Sequence, residues 1–116
     1  MVEQHIYDLL PPELPKVIGE LPGSQQNAVS IILFDGAGSD EYFATPTLFR
    51  PVVKLVVRNA DYAEAQAQVQ LIRKTLHKHS DDYFLSILLS GYPLYLGKSE
   101  LKLHEFQIVF NIQLKE

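Results

Sequence analysis

The 116-residue sequence contains no cysteine. Disulfides and thiolate metal sites are therefore excluded, and the fold must rest on packing alone. No apolar run approaches the roughly 18 to 20 residues that cross a bilayer, and the start "MVEQHIYDLL" lacks the basic region and cleavage site of a signal peptide. No membrane partner is expected, and the chain is expected to stay in the cytoplasm where it is made. A basic cluster is missing too. The ten Lys and Arg are scattered from Lys16 to Lys115 against fourteen Asp and Glu, a formal net charge of -4. Such a surface does not track a phosphate backbone, which disfavours sequence-specific nucleic-acid binding. Internal repeats and low-complexity tracts are absent.

What is present is an ordinary globular composition, 47% hydrophobic and 21% charged. The length suits one core, so residues 1–116 are expected to form a single domain. Ile6, Leu9 and Leu10 make a short apolar stripe that Pro11 and Pro12 stop, which predicts a short N-terminal helix. "PPELPKVIGELPGSQQNA" carries four prolines and two glycines and reads as a constrained connector. From Ala28 to Phe34 the residues are almost all apolar and partly β-branched, the pattern of a buried strand. A second strand follows in "FRPVVKLVVRN", with Phe49, Val53, Leu55 and Val57 on a greasy face. Pro51 cannot donate to a ladder, which argues for an edge or a bulge there.

"DYAEAQAQVQLIRKTLHKH" predicts a long helix. Asp61 caps its start with Glu64 three residues on, the arrangement of a capping box. Tyr62, Ala65, Val69, Ile72 and Leu76 recur at three and four and form the packing stripe. "YFLSILLSGYPLYLG", broken at Gly91 and Pro93, suggests two short strands with a bend. In "HEFQIVFNIQL", Phe106, Ile108, Phe110, Ile112 and Leu114 alternate with Glu105, Gln107, Val109, Asn111 and Gln113. The second set is amide-rich and hardly charged, which fits either a solvated antiparallel face or a surface set against a neighbouring subunit. The expected fold class is α+β: a mostly antiparallel sheet of four or five strands, one long helix across it and a short N-terminal helix.

Chemistry is hard to find. In "DGAGSD", Gly36 and Gly38 supply G-x-G, but Glu41 stands where the third glycine belongs and a strand follows instead of a helix, so the main anion-binding device is missing. His77 and His79 diverge by roughly 200 degrees on a helix and cannot share a metal there. Asp81 and Asp82 read as a turn, not an acid–base pair, and G-x-S-x-G, H-E-x-x-H and a cysteine nucleophile are all absent. No enzyme activity, cofactor or metal is expected. What remains is a scaffold with a long connection, "DGAGSDEYFATP" from Asp35 to Pro46, and connections of that length inside small domains usually carry function.

The order of elements, the junction "VVRNADYAEA" (Arg58, Asp61, Tyr62, Ala65) and the closing "LG", "HEF" and "N" (Leu96, Gly97, His104, Glu105, Phe106, Asn111) resemble the minor capsid or tail terminator (tail completion) proteins of long-tailed bacteriophages and prophages. The resemblance runs from about Ala28 to Leu114. It implies a small α/β fold and a structural virion protein that assembles as a ring, typically a hexamer, at the head-proximal end of the tail. There it would stop polymerisation of the major tail tube protein and face the head-completion or stopper protein, after assembly in the host cytoplasm. In that picture Asp35, Gly36, Gly38, Asp40, Glu41, Tyr42 and Phe43 contact the tube or line the lumen. Arg58 pairs with a carboxylate or carbonyl of the next subunit, and Tyr92 and Tyr95 form a further contact patch. Two alternatives stay open at this point: a head-tail joining (neck) protein, and a small-ligand-binding α+β domain, which would need a concave pocket with convergent polar groups.

Overall fold

The computed structural model describes residues 2–21, 27–35, 51–98 and 102–115. The first helix, α1 (Val2–Leu9), buries Val2 and Ile6, and Leu10 follows them into the core before Pro11 ends the helix. The elements after it are β1 (Lys16–Ile18), β2 (Ala28–Asp35), β3 (Pro51–Asn59), α2 (Tyr62–Leu76), β4 (Phe84–Leu89), β5 (Leu94–Lys98) and β6 (His104–Leu114).

Among the described residues the sheet has six strands, one more than the four or five expected, and it is mostly antiparallel as expected, with one parallel pair that makes it mixed. Its order is β1-β2-β3-β6-β4, with β5 also paired to β6. The extra strand is β1, inside the segment expected to be a mere connector. It lies parallel to β2, and its register is set by bonds from the Val29 amide to the Pro15 carbonyl and from the Gly19 amide to the Ile31 carbonyl. Pro51 also differs from expectation. It opens a central strand opposite Asp35, and pairing with β6 begins only at Val52, so the missing donor sits at a strand start, where proline is tolerated. The bulges lie instead between Phe84 and Ser86 and between Tyr95 and Gly97.

Both helices cover one face of the sheet. Period-two alternation sends Val53, Leu55 and Val57 of β3 and Ile108, Phe110 and Ile112 of β6 toward them, and these side chains are buried with Val29 and Ile31 of β2. Helix α2 answers with Ala65, Val69, Ile72 and Leu76. Tyr62, placed on the same stripe by its spacing, is 39% exposed at the helix start. The Asp61 carboxylate accepts from the Ala63 amide at 3.0 Å, as a cap should. The reciprocal half of the capping box differs, because the Asp61 amide donates to Asn59 Oδ1 at 2.8 Å and leaves no place for Glu64.

At its other end α2 stops at Leu76, and the chain turns back along β4 with Lys78 in a left-handed conformation (φ 66). The Asp81 carboxylate builds that return. It accepts from the Tyr83 and Phe84 amides, both at 2.8 Å, and meets His79 Nε2 at 2.7 Å. Those bonds, the Phe84 amide foremost and then His79, lower its pKa from 3.8 to about 2. Asp81 thus holds the turn in which Asp82 also lies.

Candidate interaction surface

The face of the sheet turned away from the helices carries the residues that alternate with the core. On β6 these are Glu105, Gln107, Val109 and Asn111, in register with Arg58, Val56, Lys54 and Val52 of β3, and Gln113, opposite Ser86 of β4. On the other flank Leu88 of β4 pairs with Asn111 and Leu94 of β5 pairs with Gln107, which puts both leucines on this outer face. Leu96 joins them over a shallow groove with Ser30, Ile32, Lys54, Arg58 and Glu105. Leu88, Leu94 and Leu96 are 45%, 55% and 48% exposed. No described helix lies over this face. A set of half-exposed leucines among amides is unusual for a surface meant only for water, and patches of this kind mark sites of association.

Arg58 and Glu105, 47 positions apart in sequence, stand opposite each other on β3 and β6. Arg58 Nε donates to Glu105 Oε2 at 3.0 Å, with the side chains 14% and 21% exposed. This ion pair lies within the chain. Tyr92 is 91% exposed at the bend between β4 and β5. Tyr95 points to the opposite side, its ring 5.0 Å from Phe106 and 5.4 Å from Tyr62, and its hydroxyl is 2.8 Å from His104 Nδ1. Asp35 is the last residue of β2. Gly36, Gly38, Asp40, Glu41, Tyr42 and Phe43 lie outside the described residues, as does Phe49.

The histidines are dispersed into separate structural tasks. His5 stacks on Tyr83 with ring centroids 3.6 Å apart, His77 Nδ1 accepts from the Leu89 amide at 3.0 Å, and His79 meets Asp81. Among the described residues no three His, Asp or Glu side chains gather as a metal site requires. Nor is any described helix long and apolar enough to cross a membrane.

This arrangement, a mixed sheet with helices on one side and an open apolar-amide face on the other, can be set beside known proteins. A family model for the bacteriophage tail terminator protein matches residues 5–116. The chain belongs to this family. Membership makes it a structural protein of the phage tail. Its fold is similar to that of a chain from the virion of a native gene transfer agent particle, with a TM-score of 0.60 over 96% of this chain and 84% of that one. At 14% identity that likeness concerns the fold alone. Curated protein sequences give no match. Sequence reasoning singled out Arg58 and the amide-rich alternate residues of β6. It missed Leu88, Leu94 and Leu96, whose common side follows only from the strand order.

Proposed function

We propose that the chain closes into a ring, of six copies as the family resemblance implies, on the head-proximal end of the tail tube, and so ends polymerisation of the major tail tube protein. One side of the ring meets the tube and the other meets the head-completion or stopper protein. The role is one of binding, with no bond-making chemistry of its own, performed in the virion after assembly in the host cytoplasm. The observation that carries this reading, beside family membership, is the outer sheet face with its half-exposed Leu88, Leu94 and Leu96. Burying those side chains against a neighbour supplies apolar contact that water cannot. The connection from Asp35 to Pro46 is assigned to the tube or lumen. Its acidic Asp35, Asp40 and Glu41 would repel DNA passing through.

The test is tube length. Tail tube protein polymerised with the purified chain should give short, capped tubes by electron microscopy, and the Leu88→Glu, Leu94→Glu double variant should remain folded yet leave tubes long. Capping by that variant at the natural efficiency would refute the role of this face. Deletion of residues 37–44 should likewise spare folding and abolish capping. Capture of a head-side protein with no affinity for the tube would move the assignment to a head-tail joining protein.

A further inference from the structure

The two flanking strands of the sheet differ in how their outer edges are finished. Because β3 occupies one side of β6 along residues 104–111, β4 and β5 both lie on the other side, at its end and its start. The outer edge of β4 is closed by the chain leaving α2. The Lys78 amide donates to the Ile87 carbonyl, the Ile87 amide to the His79 carbonyl, the Asp81 amide to the Phe84 carbonyl, and the Leu89 amide to His77 Nδ1. Among the described residues β5 has no such cover: it pairs only with β6, and Leu94, Tyr95, Leu96 and Lys98 are all exposed. An open apolar edge invites pairing with another chain, and proteins usually blunt one that has no partner.

The opposite flank of the sheet is β1, which among the described residues pairs only with β2. With the Pro15 carbonyl and the Gly19 amide turned toward β2, the parallel ladder points the backbone groups of Lys16 and Ile18 outward. The register places the two free edges at the same height: Val17, Ser30, Val56, Gln107 and Leu94 form one row across the sheet. The pairings also make β5 run antiparallel to β1. A head-to-tail contact closes into a ring only when successive copies are related by rotation without a rise, and edges at equal height meet that condition.

Charge agrees with the match. The β5 flank presents exposed Lys98 and Lys102. The β1 flank presents exposed Glu13, while its lysine, Lys16, is held by the Pro11 and Leu14 carbonyls and the Tyr7 ring; Glu20 lines the outer-face groove with Lys54 and Arg58. With no rise, Leu94 faces Val17 and Lys98 reaches the level of Leu14, beside Glu13.

We propose that the free edge of β5 pairs antiparallel with the free edge of β1 in the next copy of this chain, so that the wall of the ring is one continuous sheet. This rests on the ring reading above, and the experiment separates the two. The chain has no cysteine of its own, so a Val17→Cys, Leu94→Cys double variant can be crosslinked cleanly. Within one copy the two positions lie four strand spacings, roughly 19 Å, apart, far beyond disulfide reach. On mild oxidation, alone and on tail tubes, the monomer band should convert to a ladder of covalent multiples ending at the ring size. The single variants and a Val17→Cys, Leu85→Cys control should give no ladder. Rings seen by light scattering and electron microscopy without a ladder would overturn the strand pairing and leave the ring standing. Full dimerisation of Leu94→Cys alone would also overturn it, by showing an edge paired with itself. Absence of rings even on tubes would remove both proposals.

Discussion

Ile87 and Leu88 are consecutive on β4 and test which side of the sheet is core. Ile87 is 0% exposed among the helix-side residues, whereas Leu88 keeps 45% of its surface in water on the outer face. Truncation to Ala removes the same number of carbons from each. At about 0.8 kcal/mol per carbon, complete burial is worth about 2.4 kcal/mol, and the cavity left under α2 takes the cost of Ile87→Ala to roughly 3–4 kcal/mol. Leu88→Ala loses about half of the transfer term and leaves no cavity, so it should cost about 1 kcal/mol. The assay is urea unfolding at a concentration where light scattering gives the single-chain mass, with the slope unchanged between variants. Equal losses for the two variants would refute the reasoning, since the outer face would then already be covered in the monomer. If assembly covers the outer face, as proposed, the gap between the two variants should narrow at assembling concentrations.

Asp61→Ala removes the acceptor of the Ala63 amide and should destabilise the monomer by about 1 kcal/mol, read as a shift in urea midpoint. Asp81 carries a pKa lowered to about 2, so its ionised form stabilises the fold above the unfolded value of 3.8 and that share is lost as pH falls from 3.8 toward 2. The stability gap between the natural chain and Asp81→Asn should therefore be full at neutral pH and vanish across that acid window; a gap that widens there would contradict the assignment. A double-mutant cycle on Arg58→Met and Glu105→Gln should return a coupling of about 1 kcal/mol that weakens in high salt. Zero coupling would mean that the ion pair is not formed in solution. Gly97 holds φ 99 at the β5 bulge, so Gly97→Ala should cost about 1 kcal/mol, measured by thermal unfolding.

Much of this architecture is written in local periodicity. The strict alternation of β6 places Ile108, Phe110 and Ile112 inward because successive strand residues point to opposite faces. The three-four stripe of α2 does the same for Ala65, Val69, Ile72 and Leu76. Pro11 and Asp61 mark helix boundaries by chemistry that needs no tertiary partner. β1 was not legible. Three residues between prolines and a glycine carry no period, and they become a strand because the β2 ladder offers them partners.

The interaction surface divides in the same way. Sequence alone determined that one side of β6 is amides, because that follows from the residue types and the pleat. Tertiary structure decided that Leu88 and Leu94 stand beside those amides, that Glu105 answers Arg58 across 47 positions, and that His77 to Asp81 seal β4 while no described residue seals β5. The physical reason is reach. A pleat or a helical turn fixes where neighbours in sequence point, whereas strand order and edge closure depend on hydrogen bonds between segments that meet only after the chain has folded.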